Sequence, residues 1–323
     1  MLDLPDLTHA QSIVYRSMPP TPQYCWPLLS EALGTDVWIK HENHTPTGAF
    51  KVRGGLVYLD RLRERAPEVT GIISATRGNH GQSLAFAARQ HGMTCKVVVP
   101  HGNSSEKNAA MRAFGADLIE HGADFDDARM EAERVALSEN LHMVPSFHED
   151  LVAGVASYGM ELMTAITDLD VIYVPIGLGS GICGLISARD ALGLSTRIVG
   201  VVSEHANAYA LSWEAGHVVE VNSVATFADG IAVRIPNRIA FEMIREGADH
   251  IVCVSDTEIA DAIRLIYRST HNLAEGAGAA PLAGAIRERD GLKGQKVGAI
   301  LCGQNIDTDW FADILSGQTP LPR

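Results

Sequence analysis

The sequence predicts an α/β protein with mostly parallel, buried sheets. Two observations carry that prediction: short β-branched runs recur from one end to the other, and segments of helical period separate them. No Pro/Gly/Ser linker, low-complexity tract or internal repeat divides the chain, so if there are two domains they are interwoven.

The runs, in order, are "DVWIK" (36–40), "GIISA" (71–75), "CKVVVP" (95–100), "DVIYVPIG" (170–177), "RIVGVVS" (197–203), "HIVCVS" (250–255) and "KVGAILCG" (296–303). Most are continuously apolar rather than alternating, as strands covered on both faces are. Between them, "GQSLAFAARQHG" and "SEKNAAMRAFG" read as helices. Start and stop signals support this reading: Ser104 and Ser105 precede a helix that Gly115 follows, and Ser255 with Glu258 forms a capping box.

Composition narrows the function classes. At 323 residues and 46% apolar content the chain can bury one large or two ordinary cores. Its 26 basic against 39 acidic residues, formal charge −13, give no footprint for a nucleic acid or an anionic membrane. A small-molecule partner is expected instead. Cys25, Cys95, Cys183, Cys253 and Cys302 are scattered, odd in number and form no C-x-x-C pair, which fits a reducing cytoplasm. The acidic start "MLDLPDLTHA" lacks the pattern of a signal peptide, and no apolar stretch is long enough to cross a bilayer.

Four stretches can carry chemistry. In "TPTGAFKVRGG" (45–55), Phe50 and Val52 imply burial of Lys51, while Gly48 and the Gly54-Gly55 pair admit a backbone or ligand. Burial lowers an amine's pKa, and such a lysine can form a Schiff base with a carbonyl cofactor. In "VIYVPIGLGSGICGLISA", a strand runs through Gly177, Gly179, Gly181 and Gly184 into a helix, a phosphate-binding arrangement. The spacing also matches G-x-G-x-x-G with Glu204 about 20 residues on, so a nicotinamide-dependent enzyme competes. In "SATRGNHGQS", a polar turn from Thr76 to Gly81 offers amide, hydroxyl, guanidinium and imidazole groups beside a helix start, which suits a carboxylate. In "AILCGQNID", Cys302 ends an apolar strand where open α/β sheets place ligand contacts, although a lone cysteine there is also an ordinary core residue.

Together and in this order, "PTGAFKVRG", "TRGNHG", "GLGSGICG", "EGAGAA" (275–280) and "LCGQNID" resemble the fold-type II pyridoxal phosphate enzymes, specifically the threonine dehydratase and serine racemase group. The resemblance spans nearly the whole chain and accounts for Lys51 and the Asn79-His80 turn, which a nicotinamide reading does not. It implies a tryptophan synthase β-like fold with two α/β domains around a cleft: residues 1–69 with 148–323 binding the cofactor, and 70–147 inserted. It further implies that Lys51 carries pyridoxal 5'-phosphate, with Phe50 flanking the ring and Asn79 bonding the cofactor's 3' oxygen. Amides of Gly177, Leu178, Gly179, Ser180 and Gly181 would hold the phosphate, and Cys302 would face the pyridine nitrogen. A thiol there is a weaker partner than a carboxylate, which suits β-elimination more than transamination. Thr76, Arg77, Gly78, His80 and Gly81 would bind the substrate. The implied reaction removes water from a 3-hydroxy amino acid (threonine or serine, phenylserine, or 3-hydroxyaspartate) and yields a 2-oxo acid and ammonia. Family members are commonly homodimers.

The chain departs from the family pattern at several points. Arg77 stands where racemases use a serine as second proton donor and acceptor, and a guanidinium is a poor base, so racemisation ranks as an alternative. Arg77 could bind a second substrate carboxylate, stack on an aromatic side chain, or face outward. β-Replacement enzymes usually have Thr-Ser-Gly-Asn-Thr where this chain has "TRGNHG", and a non-catalytic binding module is a further alternative. For the divalent metal many relatives bind, only Glu204 and the Ala208 carbonyl are candidates, because Ala210 falls where a second carboxylate would be expected. His41 and His44 lack a third ligand and read as structural. Ser180 interrupts the glycine run, and the chain ends too soon after "LCGQNID" for a regulatory domain of the allosteric dehydratases.

Overall fold

A computed structural model describes residues 2–322. Its strands are β1 (Gln23–Cys25), β2 (Asp36–His41), β3 (Gly71–Ala75), β4 (Thr94–Val99), β5 (Asp117–Glu120), β6 (His142–Met143), β7 (Val171–Pro175), β8 (Arg197–Ser203), β9 (His250–Val254) and β10 (Lys296–Leu301). Six form one sheet in the order β1-β2-β10-β7-β8-β9, and four form another in the order β5-β4-β3-β6. Among the described strands only the β1-β2 pair is antiparallel. The predicted α/β class with mostly parallel sheets therefore stands, and each predicted run is a strand. Helices cover both faces, which is why Ile72, Ile73, Val97, Val98, Ile172 and Val174 are all buried although adjacent side chains point to opposite faces.

The strands of the smaller sheet all fall between Gly71 and Met143. Its apolar cover is not confined to those residues: Ile13 and Val14 from the helix Leu4–Tyr15, and Val57 and Leu59 from the helix Lys51–Arg65, share one cluster with Leu84 and Val97. The expected caps are in place. Ser104 Oγ accepts the Lys107 N–H at 3.1 Å, and Ser255 and Glu258 make both bonds of the capping box.

The helix Lys51–Arg65 is wedged between the helices Glu149–Ala165 and Asn79–Gln90. This explains its glycine pair. A Cβ on Gly54 would lie 2.9 Å from the Leu151 carbonyl oxygen, and one on Gly55 only 2.2 Å from Ser83 Oγ. The pair admits neighbouring helices rather than a ligand. Two residues after Lys51, Arg53 is wholly buried: its Nε donates to Glu42 (2.7 Å) and its Nη1 to Glu161 (2.6 Å), and Lys40 Nζ meets the other Glu161 oxygen at 2.6 Å. With each charge paired the desolvation cost is offset, whereas removing one partner from such a network costs about 3–5 kcal/mol.

Candidate active site

The site forms at the carboxyl ends of β3, β7 and β10, where open α/β sheets present ligand contacts. The end of β10 brings in the lysine segment: Phe50 N–H donates to the Cys302 carbonyl and Gln304 N–H to the Gly48 carbonyl, each at 2.9 Å. An isolated bridge pairs Ala49 with Gly303 between them. Gly48 turns the chain with φ +69°, and a Cβ there would sit 2.7 Å from Asn305 Oδ1.

Lys51 begins its helix at the wall of a cavity of about 500 Å³. Its Nζ donates to Ser180 Oγ at 3.2 Å and lies 5.0 Å from the centroid of the Phe50 ring. Burial pulls the amine from 10.5 down to about 8, against the opposing influence of Cys302 and Glu275. The same cavity is lined by Phe50, the run Thr76 to His80, the loop Gly177 to Gly181, and Cys302. The candidates from four distant stretches thus share one space.

Gly81 is the exception among them. It does not line the cavity, and a Cβ there would meet Met111 Sδ at 2.5 Å and Thr76 Cγ2 at 2.7 Å, so close packing requires the glycine. Of the metal candidates, Glu204 lies 3.6 Å from His205 and Ala208 starts the helix Ala208–Ala215; among the described residues no group of three or more His, Cys, Asp or Glu side chains could hold an ion. His41 and His44 stack with centroids 5.0 Å apart; His41 accepts from Trp26 Nε1 at 3.0 Å and His44 meets Asn272 Oδ1 at 2.6 Å, which are structural ties.

Three helices open at the cavity wall, starting at Lys51, Asn79 and Ser180, and none has a side-chain cap. First-turn N–H groups have no intrahelical partner, and the helix dipole adds positive potential, so these ends suit anions. The loop before Ser180 is shaped by its glycines. Gly179 has φ +104°, and a Cβ on Gly177 would lie 2.4 Å from the Gly230 carbonyl oxygen. Tyr209 and Tyr158 hydroxyls donate to the carbonyls of Leu178 (3.1 Å) and Gly181 (3.0 Å) and fix the loop from outside. Gly184 plays no part in it: a Cβ there would be 2.9 Å from the Ala156 nitrogen, so the last glycine of the apparent dinucleotide fingerprint is a helix-packing residue.

The structure adds Glu275, which sequence reasoning placed only within a helix motif. Its Oε1 accepts from Asn79 Nδ2 at 2.7 Å, and Asn305 Nδ2 donates to Asn79 Oδ1, also at 2.7 Å. Burial raises the Glu275 carboxyl from 4.5 to about 7, with Asp229 adding to the rise and Lys107 opposing it. Lys107 is a second addition, buried at the cavity edge and paired with Asp229 at 2.5 Å. Burial, together with the Lys51 charge, pushes His80 down to about 3 and leaves its imidazole neutral. Burial and the Glu275 carboxyl push the Cys302 thiol well above its ordinary value, so it is a neutral donor.

These features fit pyridoxal 5'-phosphate. The lysine amine is available, the glycine loop leaves room where a side chain would clash, and His80 Nε2 and Glu275 Oε2 are buried polar atoms without a partner among the described residues. The family comparison agrees: residues 15–303 match the model of the pyridoxal-phosphate dependent enzymes, and the chain belongs to that family. Within it, the chain is 32% identical over 317 residues to an L-threonine ammonia-lyase of Thermotoga maritima, covering 98% of this chain and 79% of the relative. It is 29% identical to the L-threo-3-hydroxyaspartate ammonia-lyase of Saccharomyces cerevisiae, covering 98% and 97%. The processed form of threonine deaminase isoform 2 from Solanum lycopersicum superposes with a TM-score of 0.90 at 29% identity, covering 97% of this chain and 88% of that one. Membership also closes the nicotinamide alternative.

Proposed function

We propose that the protein removes water from a 3-hydroxy amino acid and releases a 2-oxo acid and ammonia. The observation that carries this reading is the Lys51 amine, brought down to about 8, in one cavity with two uncapped helix ends. Bound pyridoxal 5'-phosphate would supply the electron sink that lets the substrate's Cα–H bond ionise.

The chain's own residues do the rest. First-turn amides of the helix Ser180–Ala191, with the backbone of Gly177, Leu178, Gly179 and Gly181, hold the cofactor phosphate, and Phe50 flanks its ring. Asn79, fixed by Glu275 and Asn305, presents its amide to the cofactor's 3' oxygen, and Cys302 offers a neutral thiol to the pyridine nitrogen. The uncapped start of the helix Asn79–Gln90, beside Thr76, Arg77, Gly78 and His80, receives the substrate carboxylate. Gly78 N–H is occupied, donating to Thr76 Oγ1 at 3.0 Å, so the N–H groups of Asn79 and His80 do this work. Lys51 Nζ, neutral in a useful fraction near pH 8, takes the proton from Cα. Hydroxide leaves the β-carbon with a proton as water, and water then replaces the nitrogen of the released enamine, giving the oxo acid and ammonia. A guanidinium at Arg77 is no proton acceptor, which weighs against racemisation.

Release of 2-oxo acid from L-serine, L-threonine, L-threo-3-hydroxyaspartate and phenylserine tests the reading, with Lys51→Ala as control. Turnover that survives Lys51→Ala, or none by the wild type, would overturn it. We also propose that the division into 1–69 with 148–323 and an inserted 70–147 is one of folding units, supported by the separate sheet between Gly71 and Met143 and tested by limited proteolysis. A homodimer in the cytoplasm completes the proposal. Five unbridged cysteines are consistent with that compartment, and sedimentation at twice the monomer mass would show the dimer.

A further inference from the structure

We propose that Arg77 selects the substrate by binding a second carboxylate, which makes 3-hydroxy dicarboxylic amino acids the substrate class. The inference rests on the elimination reading above and deepens it. Four cationic side chains line the cavity: Lys51, Arg77, Lys107 and Arg234. Lys107 is held by Asp229 at 2.5 Å, and Arg234 is held by Asp126. Lys51 faces Ser180 and is the reacting amine. Arg77 alone of the four has no hydrogen bond, ion pair or ring contact among the described residues.

The carboxylates in the cavity wall are committed elsewhere. Asp124 caps its own helix, its Oδ1 accepting the Asp127 N–H at 3.0 Å, and Glu275 is bonded to Asn79. A half-buried guanidinium with no counter-ion is costly, and a carboxylate answers it with two parallel charge-assisted bonds. An aryl side chain would cover the guanidinium without neutralising it. Placement favours the acid as well. Arg77 belongs to the turn that leads directly into the helix start assigned to the α-carboxylate, and that turn is pinned by Thr76 N–H to the Val98 carbonyl at 3.1 Å. Both acid groups of a four-carbon substrate therefore meet one rigid segment.

The test compares the holoenzyme with Arg77→Gln and Arg77→Lys. In the variants, kcat/KM for L-threo-3-hydroxyaspartate relative to L-threonine should fall about 10- to 100-fold for Gln, through KM, and less for Lys, as expected for loss of a charge-assisted bond. Succinate, which carries both carboxylates and no reacting groups, should bind the wild-type holoenzyme by calorimetry and bind Arg77→Gln about 10-fold more weakly. An equal loss on both substrates would assign Arg77 to the α-carboxylate or the cofactor phosphate and overturn the inference. So would a loss confined to phenylserine, or succinate binding that is absent or indifferent to Arg77. Arg77-dependent succinate binding without turnover of any substrate would uphold Arg77 as a carboxylate site but sink the elimination reading and, with it, the substrate class.

Discussion

The buried Glu275 carboxyl should make the apoprotein lose stability as pH rises through neutrality, and Glu275→Gln should remove most of that loss. The folded state holds the proton more tightly than the unfolded chain, with a pKa of about 7 against 4.5. The resulting stabilisation is fully present below about 4.5 and is lost as pH rises through about 7. At about 1.4 kcal/mol for each tenfold change in proton affinity, the loss approaches about 3 kcal/mol for the wild type. With an unfolding entropy of about 2.1 cal/mol/K per residue, this is about 4 °C in Tm for a chain of 323 residues. Glutamine is a close mimic of the protonated acid: its oxygen can accept from Asn79 Nδ2, and its amide occupies the place of Oε2, which has no partner among the described residues. Calorimetric scans of apoprotein at pH 5 and pH 8 provide the assay. The wild type should lose about 4 °C more than Glu275→Gln between the two. Equal losses would mean that Glu275 is ionised in the folded protein throughout and would refute the burial argument.

The depressed Lys51 amine predicts the pH dependence of cofactor uptake. With a pKa of about 8, the rate at which apoprotein captures pyridoxal 5'-phosphate should climb about tenfold per pH unit below 8 and less than about twofold from pH 8 to 9, read from the absorbance of the bound cofactor. A tenfold gain from pH 8 to 9 would instead indicate an ordinary lysine. Gly55→Ala should lower the Tm, because its Cβ would stand 2.2 Å from Ser83 Oγ and 3.1 Å from the Ser83 carbonyl oxygen, at a cost of about 1–3 kcal/mol. Adding Ser83→Ala should recover part of it, and a wild-type Tm for Gly55→Ala would remove the close-packing explanation.

The long strands were legible because β-branched, doubly buried runs such as "GIISA" and "RIVGVVS" have few alternatives. β1, β5 and β6 were not, since they span only three, four and two residues. Neighbouring strands recruit them, and their own composition does not announce it. At the site, Lys51, Asn79 and the loop Gly177 to Gly181 stood out because each breaks the pattern around it. Glu275 and Lys107 looked like ordinary helix charges, and only the meeting of distant segments shows that both are buried. A cue existed for Glu275: an acid followed by "GAGAA" has no side chains around it to solvate its charge. The glycine pair after Lys51 was visible but ambiguous, because a sequence does not distinguish room for a ligand from room for a helix. Gly81 illustrates the same limit.

The charge network behind Lys51 also constrains how the chain can be made. Arg53 needs Glu161, which is 108 residues later, and Lys40 waits for the same carboxylate across 121 residues. At about 5–20 residues per second, a ribosome takes several seconds or more to supply that partner. Every strand of the smaller sheet is synthesised within the interval. The nascent chain therefore has the pairing partners of that sheet in hand while Arg53 has only Glu42 as a charged partner. The helix that carries the reacting lysine thus gains its second carboxylate partner only after the strands of that sheet exist, and the cavity wall is completed by Gly177 to Gly181, Glu275 and Cys302 from later in the chain.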